Sequence, residues 1–178
     1  MYYDYANAPF QFLKAEEPFE RKLPNGITIK GVIDRMDIKS GLVRVIDYKT
    51  GSTDLEYKSM ADVFGFSFAN DNDDFALRKK SKSQILQTML YCWAVSEQYP
   101  AIAPYVYSVR RISDISTTTC VHAIGSNEPI VFDEQMKKEF VDQLVLLVDE
   151  IRNLEMPFYP CINDNVCKSC SFISLCGR

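Results

Sequence analysis

The segment 31–51, GVIDRMDIKSGLVRVIDYKTG, constrains the fold of this chain more than any other. Two β-strand patterns flank a short turn at Ser40-Gly41, which predicts a β-hairpin. With a two-residue loop, each strand residue faces the one equally far beyond the turn, so Asp34 lies opposite Asp47. Two carboxylates that face each other across a ladder repel, and a divalent cation between them would reverse that effect.

The same register places further charges around this pair. Side chains alternate along a strand, so Asp47 and Lys49 point the same way, beside Asp34. Asp37 lies opposite Arg44, and we expect this pair to be an ordinary ion pair on a solvated surface. The face of Asp34 is expected to be a core face, because it carries Val32, Met36, Ile38, Val43 and Val45. Charges at the end of a core face need a partner. The hairpin therefore predicts a metal-dependent phosphodiester-cleaving site, and a charged, solvated sheet face is the alternative.

Composition is that of one globular domain. The chain has 178 residues, of which 47% are hydrophobic and 25% charged. No apolar run approaches the ~20 residues of a membrane span, and the N-terminus lacks signal-peptide features, so we expect a cytoplasmic protein without membrane contact. The net charge of −4 argues against a broadly basic, nucleic-acid-coating surface. A local basic cluster at Arg78, Lys79, Lys80 and Lys82 is either a DNA contact or a solvated loop.

Six cysteines fall into two groups. Cys92 and Cys120 lie in apolar segments and are expected to be buried as small hydrophobic side chains. The other four crowd the C-terminus with the spacing C-x5-C-x2-C-x5-C, at Cys161, Cys167, Cys170 and Cys176. Without a signal peptide, this clustering favours metal binding over disulfides. The spacing is compatible with a zinc site or with an iron–sulfur cluster, and free thiols are the remaining alternative.

The other patterns predict an α/β domain with a mixed central sheet. Strands are predicted over 13–23, 27–33, 42–49, 104–112 and 116–124, with a short one at 129–132. A buried helix is predicted over 83–98, and an amphipathic helix over 133–154 with Asp133 as its N-cap. The inward positions of the second helix are Phe140, Leu144, Leu147, Val148 and Ile151. Residues 52–82 are predicted to be a loop or inserted helix that covers the site.

These motifs together resemble a known family. Gly31-Val32-Ile33-Asp34, then Asp47-Tyr48-Lys49-Thr50-Gly51, then Gln87 and Tyr91 four residues apart follow the order of motifs in the RecB-type branch of the PD-(D/E)XK nuclease superfamily. The tail, with Cys167, Cys170 and Cys176, resembles AddB-like and CRISPR-associated members. The resemblance covers Glu16 to Cys176. It implies a restriction-endonuclease-like core over 1–156, truncated at its N-terminus, and a cysteine-rich, cluster-binding tail over 157–178.

The implied activity is hydrolysis of a DNA phosphodiester with Mg²⁺ or Mn²⁺. By resemblance, Asp34, Asp47 and the backbone carbonyl of Tyr48 would hold the metal. Lys49 would position the attacking water or neutralise charge in the transition state.

The resemblance also assigns supporting roles. Gln87 and Tyr91 would orient the motif or touch the DNA backbone. Cys167, Cys170 and Cys176 would be ligands of a [4Fe–4S] cluster in the full-length protein, with Cys161 as the candidate for a missing fourth ligand. This fragment is expected to hold the cluster incompletely or not at all.

The chain departs from the family at its N-terminus, where the upstream helix and its motif-one His or Glu are missing. Glu16 is the best candidate for an additional site carboxylate, with Glu17 and Glu20 as alternatives. His122, the single histidine, is expected to be structural. The chain therefore resembles the C-terminal part of a larger protein.

Three functional classes stay open. The favoured one is the nuclease domain of a helicase–nuclease subunit, acting on single strands or duplex ends of DNA in double-strand-break repair. Such an enzyme, an exonuclease, would be cytoplasmic and nucleoid-associated, with a helicase domain or subunit as its partner. The alternatives are a stand-alone CRISPR-associated or phage-type exonuclease, and a catalytically inactive DNA-binding or scaffold module of the same fold.

Overall fold

A computed structural model describes residue 4 and residues 8–51, 54–64, 82–109, 119–156, 167–168 and 170–177. In chain order the elements are β1 (Gln11–Lys22), β2 (Thr28–Lys39), β3 (Leu42–Lys49), β4 (Glu56–Tyr57), α1 (Met60–Val63), α2 (Ser83–Val95), β5 (Ile102–Ser108), β6 (His122–Ala123) and α3 (Glu134–Ile151).

The central sheet has four strands in the order β1-β2-β3-β5. β1, β2 and β3 are antiparallel neighbours, whereas β3 and β5 run parallel. A parallel pair needs a crossover connection, and α2 lies in that connection, packed against β5, β3 and β1. A short parallel pair, β4 with β6, lies outside this sheet. The predicted fold class, a mixed sheet flanked by helices as in restriction endonucleases, is confirmed.

The β2–β3 hairpin has the predicted turn and register. Ser40 and Gly41 both have positive φ, 52° and 79°, as a two-residue type I′ turn requires. Asp37 faces Arg44, and the last bonded pair is Arg35 with Ile46. The predicted bounds of β3 are those observed.

The β1–β2 hairpin brings aromatic side chains to α2. Gly31 faces Phe19 on the neighbouring strand, and a Cβ at Gly31 would lie 2.7 Å from the Phe19 ring. That ring in turn meets Tyr91 of α2 edge-on, with centroids 5.9 Å apart. Glycine at position 31 therefore leaves the space through which Phe19 contacts the helix.

The core lies between the sheet and the helices, with buried residues of α1, α2 and α3 in one cluster. It includes Met36, Val43 and Val45, as predicted, but Val32 is 44% exposed and the fully buried residue is its neighbour Ile33. Since Ile33 and Met36 have opposite parity and share one core, the alternation of side chains along β2 must change between them. That change falls at Asp34 and Arg35 and corrects the assumption of strict alternation.

The remaining expectations are met in part. α3 begins after Asp133, whose carboxylate accepts a hydrogen bond from the Met136 N–H at 2.8 Å, and it buries Phe140 and Leu144. Ile151, predicted to face inward, is 60% exposed, because the last turn of α3 extends past the core.

The strands after α2 are shorter in the described residues than predicted. β5 ends at Ser108, only 122–123 is strand within the predicted 116–124, and the predicted 129–132 strand contributes a single bridge at Pro129. Cys92 and Cys120 are buried, as expected. Residues 65–81, 110–118 and 157–166 lie outside the described part.

Candidate active site

Asp34 and Asp47 meet where the β2–β3 ladder ends. Beyond the last bonded pair, Arg35 with Ile46, these two residues are next in register. The Tyr48 N–H donates a hydrogen bond to Asp34 Oδ2 at 2.9 Å. The Asp34 carboxylate therefore takes the place of the next ladder hydrogen bond and lies against the strand that carries Asp47.

Asp47 is a buried carboxylate with one unsatisfied oxygen. Its side chain is 2% exposed, and Oδ1 accepts a hydrogen bond from Lys49 Nζ at 3.1 Å. Nζ is also 2.8 Å from Oδ2, an ion-pair contact without hydrogen-bond alignment, so the buried Oδ2 accepts no hydrogen bond. Burial raises the pKa of Asp47, with the charge of Asp34 adding to the effect and Lys49 opposing it.

Lys49 is held between the sheet and α2. Its Nζ donates to Gln87 Oε1 at 2.7 Å, and Gln87 Nε2 donates to the Tyr91 hydroxyl at 2.8 Å. Gln87 and Tyr91 are four residues apart and thus on one face of α2. Burial raises the pKa of Tyr91, and the carboxylates of Asp47 and Asp34 act in the same direction. A continuous polar chain therefore runs from Asp47 through Lys49 and Gln87 to Tyr91.

The Tyr48 carbonyl faces the same side as Asp34. Odd-numbered residues of β3 direct their backbone groups to β5: Val43 N–H donates to the Ala101 carbonyl, and the Lys49 carbonyl accepts from Val109 N–H. Because backbone groups alternate along a strand, those of Tyr48 point towards β2, in agreement with its bond to Asp34.

Mg²⁺ and Mn²⁺ prefer hard oxygen donors. The site offers the carboxylates of Asp34 and Asp47, of which Asp47 has a buried oxygen without a hydrogen bond, and the Tyr48 carbonyl. The donor set therefore fits a divalent cation.

Glu16 does not join this group. Within the described residues, no set of three or more His, Cys, Asp or Glu side chains is close enough to hold a metal ion. Glu16 is exposed and has a positive φ of 50°, in a stretch of β1 that lies beside Asp34 in register. Its alternatives are in ion pairs, Glu17 with Lys14 and Glu20 with Lys30. The role of Glu16 stays a prediction without support from the geometry.

The opposite sheet face carries a buried ion cluster that sequence reasoning missed. Asp37 is fully buried, not solvated: Oδ1 accepts from Arg44 Nε at 2.5 Å, and Oδ2 from Arg35 Nη2 at 2.8 Å. Arg44 and Arg35 are 3% and 8% exposed. The Phe10 ring lies 4.8 Å from the Arg35 guanidinium and 5.6 Å from that of Arg44, and alternation along β2 and β3 could not predict this cover.

The tail cysteines and the basic cluster are only partly described. Cys167, Cys170 and Cys176 are not in disulfides and, in the portion that the structure describes, do not form a three-ligand group. The cysteine cluster therefore stays a prediction. Cys161 and the basic residues Arg78, Lys79 and Lys80 lie outside the described residues. Lys82 is bound in an ion pair with Asp54, with 2.6 Å between Nζ and Oδ2.

His122 lies in the short strand β6, where its ring Nδ1 is 3.2 Å from the Ala123 carbonyl oxygen.

In the described ranges, no helix is both long and apolar enough to cross a bilayer.

The comparison with protein families agrees with this geometry. The model of the PD-(D/E)XK nuclease superfamily matches residues 2–177, nearly the whole chain. The chain belongs to the PD-(D/E)XK nuclease superfamily. Among curated proteins, no significant match was found.

Proposed function

We propose that this chain is a metal-dependent deoxyribonuclease of the RecB-type branch, with Asp34, Asp47 and Lys49 at its hydrolytic centre. One observation carries the proposal: the buried Oδ2 of Asp47 accepts no hydrogen bond and lies beside a second carboxylate. Apart from the ion pair with Lys49, nothing in the described chain offsets that negative charge, and a cation would.

Each residue of this centre has its own proposed role. Asp34, Asp47 and the Tyr48 carbonyl would hold Mg²⁺ or Mn²⁺, which when bound polarises a phosphate and acidifies a coordinated water. Lys49, held by hydrogen bonds to Asp47 and Gln87, can donate to a phosphate oxygen as negative charge builds on it.

Gln87 and Tyr91 are positioning residues, because they reach Lys49 and not the carboxylates through hydrogen bonds. Their hydrogen-bond chain fixes the ammonium from the helix side.

DNA as substrate, action on strand ends and a helicase partner are proposed from the motif resemblance. The intact chain Asp47–Lys49–Gln87–Tyr91 favours an active enzyme over an inactive scaffold of the same fold. A stand-alone exonuclease remains the second candidate.

The test is cleavage of labelled DNA by the full chain, with linear duplex, closed circular duplex and single-stranded substrates. We expect cleavage of the linear and single-stranded substrates with Mn²⁺ or Mg²⁺, none with EDTA, and none by the Asp34→Ala variant. Asp54→Ala is the matched control, since this exposed carboxylate pairs only with Lys82 among the ion pairs described. Metal-dependent cleavage that survives Asp34→Ala would remove the proposal, and cleavage of the closed circle would replace an exonuclease by an endonuclease.

For the tail, we propose iron–sulfur ligation by Cys167, Cys170 and Cys176, with Cys161 as the possible fourth ligand, on the strength of spacing and resemblance alone. No step of the hydrolysis depends on it. Anaerobic reconstitution with iron and sulfide should give absorbance near ~400 nm and bound iron. Stoichiometric zinc without iron would indicate a zinc knuckle instead.

A further inference from the structure

The ion cluster on the far side of the sheet touches the candidate active site through one residue. Arg35 donates from Nε and Nη2 to Asp37 Oδ2, at 3.1 and 2.8 Å. Its Nη1 donates to the Tyr48 hydroxyl at 3.2 Å and to Asp4 Oδ1 at 2.9 Å. Its guanidinium also lies over the Phe10 ring, 4.8 Å from the centroid. One side chain thus connects the ion cluster to Tyr48, the residue between Asp47 and Lys49.

Two adjacent residues of β2 consequently make hydrogen bonds to Tyr48. Asp34 accepts a hydrogen bond from the Tyr48 backbone N–H, and Arg35, the next residue, donates to the Tyr48 hydroxyl. Both contacts occur at the end of the bonded ladder between β2 and β3. Side chains therefore do there what backbone hydrogen bonds do in the rest of the hairpin.

Packing alone does not account for such a cluster. Buried ion pairs are often no more stable than apolar residues of the same volume, because both charges lose their water. Here two guanidinium groups share one carboxylate, and the buried Nη2 of Arg44 makes no hydrogen bond. An arrangement with that cost, placed directly behind two catalytic carboxylates, points to a geometric role.

We propose that Arg35, anchored by Asp37, which Arg44 also binds, is a positioning residue that holds Tyr48 so that the Asp34 carboxylate and the Tyr48 carbonyl face the metal. The inference rests on the proposed metal-dependent function. Arg35 touches neither substrate nor metal; it acts through the strand that supplies the ligands. Groups that orient metal ligands from behind typically change metal affinity about 10–100-fold when removed.

The test measures Mn²⁺ affinity by calorimetry and cleavage as a function of Mn²⁺ concentration, on the full chain. For Arg35→Met we expect Mn²⁺ to bind about 10–100-fold more weakly, and excess Mn²⁺ to restore much of the cleavage rate. A general loss of stability would lower the rate but would not be rescued by metal. Arg21→Met is the matched control, because Arg21 is also partly buried, lies over Trp93 and pairs with Glu97 away from the site.

A milder variant keeps the test decisive if Arg35→Met does not fold. Tyr48→Phe removes only the hydroxyl that Arg35 contacts and keeps the backbone N–H and carbonyl, and Tyr48 is 40% exposed. We expect about fivefold weaker Mn²⁺ binding, as for the loss of one hydrogen bond.

The positioning role would be overturned if both variants bound Mn²⁺ with wild-type affinity. If Arg35→Met does not fold, wild-type affinity in Tyr48→Phe alone would have the same meaning. Either result would leave the nuclease proposal intact. A wild-type chain that neither binds Mn²⁺ nor cleaves DNA would instead remove the nuclease proposal, and the positioning role with it.

Discussion

Replacing Asp47 by Asn should change the stability and the activity of the protein in opposite directions. The amide has the shape of the carboxylate but no charge. In the folded protein the ionised Asp47 is disfavoured by burial and by Asp34, as the direction of its pKa shift shows. Removing the charge should therefore leave the metal-free protein at least as stable as the wild type. Lys49 keeps Gln87 as an acceptor, so the substitution leaves no buried ammonium without a partner.

The size of the gain follows from the geometry. Favourable cross-strand pairs contribute about 0.2–1 kcal/mol, and like charges directly opposite each other destabilise. We take the same scale for the Asp34–Asp47 repulsion, so Asp47→Asn should raise the free energy of unfolding by up to about 1 kcal/mol. For a chain of this size that corresponds to a rise in Tm of about 1–4 °C. Activity should move the other way: a lost electrostatic contribution of about 3–4 kcal/mol to the transition state lowers the cleavage rate about 10²–10³-fold.

The effect on stability should depend on pH in one direction. A carboxyl group with a raised pKa in the folded state binds its proton more tightly there than in the unfolded chain. Its cost is fully present above the folded-state pKa and disappears as the pH falls towards the ordinary value of 3.8. The advantage of Asp47→Asn over the wild type should therefore be largest near neutral pH and vanish by about pH 4.

The assay is thermal unfolding followed by circular dichroism in EDTA, at pH ~7.5 and at pH ~4.5, alongside metal-dependent cleavage. Asp37→Asn is the matched control: its carboxylate is also buried but accepts hydrogen bonds from two arginines, so the same change should cost about 3–5 kcal/mol. If Asp47→Asn lowered Tm by several degrees, or cleaved DNA at the wild-type rate, the reasoning about this site would be refuted.

Further predictions concern Lys49, the glycine beneath Phe19 and the start of α3. Lys49→Met should lower kcat about 10²-fold or more while Mn²⁺ binding persists, and loss of Mn²⁺ binding in calorimetry would argue against a transition-state role. Gly31→Ala places a Cβ 2.7 Å from the Phe19 ring and should cost about 1–3 kcal/mol in urea unfolding; an unchanged midpoint would mean that the ring moves freely. Asp133→Ala removes the cap on Met136 N–H and should cost about 1 kcal/mol in the same assay, whereas no cost would mean that water replaces the cap.

The sequence predicted the register of the hairpin well because that register depends on local rules. A two-residue turn and strict pairing put Asp37 opposite Arg44 and carried Asp34 to Asp47 without any knowledge of the rest of the chain. The helix spacing of Gln87 and Tyr91 likewise predicted a shared face. That Lys49 contacts this face depends on the crossover between β3 and β5, and here the family resemblance supplied what periodicity alone did not.

The wrong predictions concern which sheet face is covered, where alternation along a strand changes, and where the core ends. Asp37 and Arg44 looked solvated because alternation cannot show whether the second face of a sheet is covered. Val32 was expected in the core because the change of alternation at Asp34 leaves no mark in the composition of β2. Ile151 continues the apolar stripe of α3 past the end of the core it packs on, and periodicity does not say where that core ends.

The central claim is that Asp34 and Asp47 share one divalent cation. Anomalous diffraction from a crystal of this chain soaked in Mn²⁺ tests it most directly. We predict a strong anomalous peak between the two carboxylates, within bonding distance of an oxygen of each and of the Tyr48 carbonyl oxygen, and no such peak in Asp47→Asn. A soaked crystal of the wild-type chain with no peak between these carboxylates, from a preparation that cleaves DNA with Mn²⁺, would contradict the account.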